Sequence, residues 1–276
     1  MAASAGLASR PSARAFFPGR CYTWDEMDDE PRWVSWNPVT GCTRVSDGCL
    51  HCYAQRFAER WRGIVGHPYE RGFDLQLRPE RLELPQRWRK PRRVFVTSMS
   101  DLFHEGVPDD YIREVFAVME RTPRHIFHVL TKRHQRMLAL APSLPWSANV
   151  WMGVTVESGR YVERADALRQ VPAAVRHISA EPLLGPLDAL DLSGIDWVIA
   201  GGESGPARRP PDPQWLRDLR DRCLAAGVEF YFKGWGGRTQ GQLGRLLDGR
   251  EWLRQPPTRA GAPASAAAQQ QRLWEG

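Results

Sequence analysis

Three cysteines stand close together as Cys42-x6-Cys49-x2-Cys52, between the turn Asn37-Pro38-Val39-Thr40-Gly41 and an aromatic stretch opening at Tyr53. Thiolates at two-residue spacing, with a third one loop away, can hold one face of a metal centre. Three ligands leave a coordination position open, the arrangement a catalytic metal site needs and a structural site usually lacks. Ligand softness and number favour an iron–sulfur cluster, with zinc and unligated thiols as the alternatives. Structural zinc wants a fourth ligand, and His51, His67 and Cys21 are the candidates, but none completes a ribbon or finger spacing. The cysteine total is five, an odd number, and Met1–Arg20 holds no continuous apolar segment of the secretory kind. Disulfides are therefore not expected, and the expected location is cytoplasmic.

These thiols must be positioned by the elements around them. A chain of 276 residues accommodates one large α/β core. Short β-branched or apolar runs recur at 33–36, 93–97, 126–130, 150–156, 175–179, 197–200 and 228–232. Between several of them lie stretches of helical period: Tyr111, Val115, Val118 and Met119 mark one, after Pro108-Asp109-Asp110, and Trp215, Leu216, Leu219 and Leu224 mark another, stopping at Gly227. Such repetition predicts an α/β fold with a partial or complete parallel (β/α) barrel of six to seven strands, in a single domain. An open doubly wound sheet is the alternative. The spacing Tyr53, Phe57, Trp61 predicts an apolar stripe that docks a helix on the barrel.

The expected organisation is an N-terminal extension over 1–25, the barrel over 26–245 with its cysteine loop at 42–52, and a tail over 246–276. The tail is rich in Ala, Gln and Pro, with low-complexity sequence from Gln255 onward. Such ends bury too little apolar surface to offset their ordering entropy and are expected to be mobile. The net charge is +6, carried mainly by arginine, and nucleic acid is a candidate partner. The run Arg87-Trp88-Arg89-Lys90-Pro91-Arg92-Arg93 either tracks phosphates or is a solvated helix end before a strand. No run of eighteen apolar residues occurs, so no membrane span is expected.

The segments that follow the strands carry the polar residues. They are the cysteine loop, Ser98-Met99-Ser100-Asp101, Thr131-Lys132-Arg133, Glu157-Ser158, Ala180-Glu181-Pro182, Gly201-Gly202-Glu203-Ser204-Gly205 and Lys233-Gly234-Trp235-Gly236. In a parallel barrel all of these converge on the C-terminal face, where barrel enzymes keep their sites. Singly, each is also an ordinary cap or tight turn.

The cysteine loop on the first strand, followed by a helix, resembles that of the radical S-adenosylmethionine superfamily. Val96-Thr97-Ser98-Met99-Ser100-Asp101, Leu130-Thr131-Lys132, Gly153-Val154-Thr155-Val156 and Ala180-Glu181-Pro182-Leu183-Leu184-Gly185-Pro186 are similar to segments of spore photoproduct lyase and its relatives. With Trp36-Asn37-Pro38-Val39-Thr40-Gly41-Cys42 and Phe232-Lys233-Gly234-Trp235-Gly236, the pattern over about 31–237 looks closest to a phage-associated family of unknown function known for its three-cysteine motif. One departure stands out: six residues separate the first two cysteines, where the superfamily has three. The longer loop can still close, since doubling a loop costs only about 0.6 kcal/mol in closure entropy.

The resemblance implies a 4Fe–4S cluster on Cys42, Cys49 and Cys52, with S-adenosylmethionine bound at its open iron. It implies reductive cleavage of that cofactor to a 5′-deoxyadenosyl radical, which abstracts hydrogen from a substrate not identified by the sequence. The N-terminus of the helix after Cys52 would favour the anionic cluster. By the same resemblance, Ser98, Lys132 and Thr155 hold the methionine carboxylate or the ribose. Glu181 accepts from ribose hydroxyls or amino groups, or else caps a turn. His51 stands where family members put a ring against adenine, or is a surface histidine. The implied partners are an electron donor of flavodoxin or ferredoxin type and the partner protein that accompanies three-cysteine-motif proteins. Cys223, beside Leu219 and Leu224, reads as a small buried hydrophobe. Two other readings remain: a non-catalytic, zinc-stabilised nucleic-acid-binding or scaffold protein, and a barrel whose cluster only transfers electrons.

Overall fold

The computed structural model describes residues 32–239 and 241–257. The expected extension over 1–25, Cys21 and residues 258–276 of the expected tail lie outside the described residues.

Seven strands form one sheet in sequence order: β1 (Arg32–Trp36), β2 (Arg92–Val96), β3 (Ile126–Thr131), β4 (Val150–Thr155), β5 (Val175–Ala180), β6 (Trp197–Gly201) and β7 (Glu229–Gly234). Every neighbouring pair is parallel, and the two end strands pair with no further strand of the sheet, which curls into a half-barrel. The parallel α/β architecture expected from the strand–helix alternation is thus present, as a partial rather than a closed barrel. The central strands are covered on both faces and read as continuous buried runs, β4 being buried at every position, whereas β1 at the edge is largely exposed.

Helices α1 (Tyr53–Glu59), α2 (Asp109–Glu120), α3 (His134–Leu140), α4 (Glu163–Arg169) and α5 (Pro213–Ala225) follow strands β1, β2, β3, β4 and β6. α2 opens with Asp109 and Asp110, acidic residues suited to the positive end of the helix, and buries Tyr111, Ile112, Val115, Phe116, Val118 and Met119 against the sheet. α5 is capped by Asp212, whose side chain accepts from the Gln214 N–H at 2.8 Å. Cys223 of α5 is fully buried in the core, and that burial pushes its thiol up to about 12. Leu224, counted with the apolar face in the sequence pattern, is instead exposed.

Residues two apart along each strand point into the half-barrel. At the N-terminal end of its interior, Trp33, His128, Trp151, His177 and Trp197 pack ring against ring, with the Trp33–His128 centroids 4.5 Å apart and His128–Trp151 4.8 Å apart. The Arg93 guanidinium lies 5.7 Å from the Trp33 and Trp151 rings. This aromatic floor leaves the C-terminal half of the interior open. The basic run from Arg87 to Arg93 ends a short helical turn and enters β2, at the floor end and away from the open half.

Two expectations are corrected. The Tyr53–Phe57–Trp61 stripe does not dock α1 on the barrel: those rings are exposed, and α1 buries Ala54 and Ala58 against Phe73 and Met99. Small side chains let the helix backbone sit close, which turns the large rings outward. The tail also does not begin at 246. Leu246–Leu247 pairs antiparallel with Arg250–Glu251, and Leu247 and Trp252 are buried in the main core. The Trp252 indole donates to the Leu247 carbonyl at 3.0 Å, and the Phe232 N–H donates to the Trp252 carbonyl at 2.7 Å, fastening the segment along β7.

Candidate cofactor and metal site

A cavity of about 930 Å³ fills the open half of the barrel at the C-terminal ends of the strands. Cys42, Cys49, Cys52, His51, Ser98, Lys132, Thr155 and Glu181 all line it. Residues spread over some 140 positions of sequence thus meet in one concave space because parallel strands deliver their ends to one face. The three thiols are free. Among the described residues, no group of three or more His, Cys, Asp or Glu side chains is arranged to hold a single metal ion.

The cysteine loop is held from below and from both sides. Glu157, at the C-terminal end of β4, is fully buried and accepts from the Ser46 hydroxyl at 2.5 Å, from the Arg164 guanidinium at 2.8 Å and from the Lys132 ammonium. The Ser46 hydroxyl also lies 3.6 Å from the Cys49 sulfur. Gly48 passes directly over this carboxylate: a Cβ there would come within 2.5 Å of Glu157 Oε1, so only glycine fits. Tyr161 accepts from the Asp47 N–H at 3.1 Å, and Arg209 donates to the Asp47 carbonyl at 3.0 Å. The additional residues of the long cysteine spacing are therefore a fastened turn, not a slack loop.

Arg133 secures the first cysteine. Its guanidinium donates to the Cys42 sulfur at 3.4 Å, to the Thr43 hydroxyl at 2.8 Å and to Asp101 at 3.2 Å. Asp101 in turn accepts from the Thr131 hydroxyl at 2.7 Å and the Lys132 N–H at 3.0 Å. Burial, helped by the Asp101 charge, pushes the Cys42 thiol up to about 11, against the opposing pull of Arg133. Metal binding here would have to displace a proton.

Two further acid–base pairs stand at the ends of the later strands, Lys233 with Glu181 and Arg209 with Glu203. Lys233, on β7, lies 3.2 Å from Glu181, which also accepts from Ser179 at 3.3 Å. The Glu181 charge raises the Lys233 pKa despite the cost of desolvating the ammonium. Glu203 is nearly buried, which alone would raise its pKa, yet its hydrogen bonds from Arg209 lower it. Those contacts are 2.9 Å from Nε and 2.5 Å from Nη2. Gly202 allows the loops after β6 and β7 to touch, since a Cβ there would lie 2.3 Å from the Trp235 carbonyl oxygen. Tyr53 donates to the Ser98 carbonyl at 2.7 Å, tying α1 to the turn after β2. That turn is made by Thr97, a β-branched residue at φ 56°, the kind of strained backbone that persists where surrounding contacts enforce it.

Not every residue has the environment the resemblance implies. Lys132 lines the cavity, but its ammonium is engaged by Glu157, and the lysine beside Glu181 is Lys233. Ser98 donates to the Asn37 side chain at 3.3 Å. His67, a candidate zinc ligand, stacks on Trp61 at 4.1 Å and accepts the Tyr69 N–H on Nδ1 at 3.1 Å. Glu157, Glu203 and Lys233 carried one sequence signal, their place directly after a strand. Arg164 and Arg209 carried none, because their roles depend on carboxylates that tertiary folding brings to them.

A curled parallel sheet with a thiol-lined cavity at its C-terminal edge defines an α/β half-barrel protein with a candidate metal or cofactor site. The chain belongs to DUF5131, a family of proteins of unknown function, which matches it over residues 30–256. No curated protein and no solved structure matches the chain.

Proposed function

We propose that the protein is a radical S-adenosylmethionine enzyme, with Cys42, Cys49 and Cys52 holding a 4Fe–4S cluster. One observation carries this reading: three free thiols and the five other residues implied by the resemblance line a single cavity at the strand ends. The donor set fits, because three soft thiolates suit an iron–sulfur cluster and leave one iron open for the cofactor. When bound and reduced, that cluster supplies the electron for cleaving the sulfonium and so the 5′-deoxyadenosyl radical for hydrogen abstraction.

The chain's own residues supply the rest. Glu157 and Arg133 hold the cysteine loop in shape. Lys233, charged at neutral pH beside Glu181, offers a cation to the methionine carboxylate, a role the sequence resemblance assigned to Lys132. Glu181 accepts hydrogen bonds from cofactor amino or hydroxyl groups, and His51 lies on the same lining. The aromatic floor closes the inner end of the cavity, away from its mouth at the strand ends, and so limits the side from which water reaches a reactive intermediate.

Anaerobic iron–sulfur reconstitution followed by low-temperature EPR of the reduced protein tests the reading. The expected result is a 4Fe–4S signal that changes on adding S-adenosylmethionine and is lost in Cys42→Ala, Cys49→Ala or Cys52→Ala. A protein that binds one zinc and stays EPR-silent overturns it in favour of a zinc-stabilised protein. A cluster signal indifferent to the cofactor points to electron transfer alone.

A further inference from the structure

The exposed rings of α1 form a surface that the cavity does not explain. Tyr53, Phe57 and Trp61 are 56%, 43% and 36% exposed; Tyr53 and Phe57 lie on α1 and Trp61 in the turn that follows it, with the Phe57 and Trp61 ring centroids 6.4 Å apart. Tyr69 extends the row, its ring 5.7 Å from Phe57 and edge-on to it. Contiguous exposed rings of this size mark an interaction site, since isolated apolar residues do not gather by chance on one face. The row is also continuous with the cavity: Tyr53 belongs to both, and its hydroxyl is fixed on the Ser98 carbonyl.

The charges around the row decide what it fits. Arg56 and Arg60 flank Phe57 in sequence and take part in no ion pair among the described residues. Arg56 lines the cavity mouth with Lys233 and Arg238, and the chain as a whole carries +6. Rings interleaved with unpaired guanidinium groups are the elements of a single-strand nucleic-acid platform, in which bases stack on the rings and cations follow the phosphates. The Phe57 and Trp61 ring centroids are 6.4 Å apart. That is wider than the 3.4 Å spacing of stacked bases, so the row suits a strand whose bases are already parted.

We infer that a single-stranded nucleic acid lies along Trp61, Phe57 and Tyr53 and delivers a nucleotide into the cavity. This rests on the proposed enzyme reading only for what happens inside the cavity; binding to the ridge does not require the cluster. The occupant is argued from charge and stacking on these residues, whereas the Arg87–Arg93 run lies at the far end of the barrel.

Fluorescence anisotropy of a labelled oligothymidine with the full chain, before and after iron–sulfur reconstitution, tests the inference. Binding is expected in both forms, to weaken linearly with log salt, and to favour the single strand over its duplex. Phe57→Ala and Trp61→Ala should each raise Kd about fivefold or more, and melting temperatures recorded alongside separate lost binding from lost packing on Tyr69 and His67. Arg60→Glu should weaken binding and flatten its salt dependence. A wild-type chain that ignores the oligonucleotide at low salt, or a Kd that stays put in both ring variants, overturns the inference and returns the ridge to a protein partner. Because this assay needs no cluster and the EPR assay needs no oligonucleotide, failure of one is distinguishable from failure of the other.

Discussion

Replacing Glu157 by glutamine is the sharpest perturbation of the site that leaves its shape in place. The carboxylate is fully buried, and its partners Lys132 and Arg164 are only 19% and 4% exposed. Glutamine keeps the volume and one acceptor, but leaves two cations facing a neutral amide. Breaking a buried ion pair by removing one partner costs about 3–5 kcal/mol. At about 2–4 °C per kcal/mol for domains of roughly this size, the melting temperature should fall by roughly 6–20 °C. Because Glu157 also receives Ser46 and lies under Gly48, the cysteine loop should loosen too, so iron retained per chain after reconstitution should drop. Calorimetry together with iron and sulfide analysis checks both parts. Adding Lys132→Met to Glu157→Gln removes one orphaned cation and should recover part of the loss, giving a non-additive cycle. A melting temperature within about 2 °C of wild type, with full iron loading, would refute the view that this carboxylate organises the loop.

Other outcomes follow from the same physics. Stability should fall as pH drops from about 6.5 to about 4, since burial lowers the His177 pKa to about 4 while the unfolded imidazole keeps its ordinary affinity for protons. The loss is present below the unfolded value and saturates below the folded one, at about 3 kcal/mol, and His128 adds in the same direction; urea unfolding at successive pH values measures it. Gly153→Ala should destabilise by about 1–3 kcal/mol, because its Cβ would lie 2.3 Å from the His177 ring nitrogen, and denaturant midpoints will show it. Trp252→Ala should cost about 3–5 kcal/mol, which distinguishes a packed segment from a dispensable tail. In the reconstituted protein, Lys233→Met should weaken S-adenosylmethionine binding at least tenfold, as followed by the cofactor-induced EPR change, if Lys233 supplies the cation for the carboxylate.

Much of this was legible in residue order alone. Runs such as Ile126–Leu130 and Val150–Val156, separated by helical periods, specify parallel strands because only a sheet covered on both faces buries them without alternation. That topology in turn requires whatever follows each strand to meet at one edge, so residue order alone places the cysteine loop, Ser98, Lys132 and Glu181 around one cavity, while Thr155 joins them only through the resemblance.

Tertiary structure alone decided the pairings and the orientation. Both Lys132 and Lys233 stand at strand ends, and nothing local states that one meets Glu157 and the other Glu181, since that depends on which strand ends are neighbours across the curl. Period could not orient α1 either. Tyr53, Phe57 and Trp61 have the spacing of a buried stripe, yet the neighbouring Ala54 and Ala58 pack closer to Phe73 and Met99 and claim the inner face. The 246–252 segment differs from its expected tail character for a related reason: Leu247 and Trp252 take their order from packing beside β7 that exists only once the sheet has formed. Sequence periodicity records which residues can share a face, whereas the choice among faces is made by the shape of what they pack against.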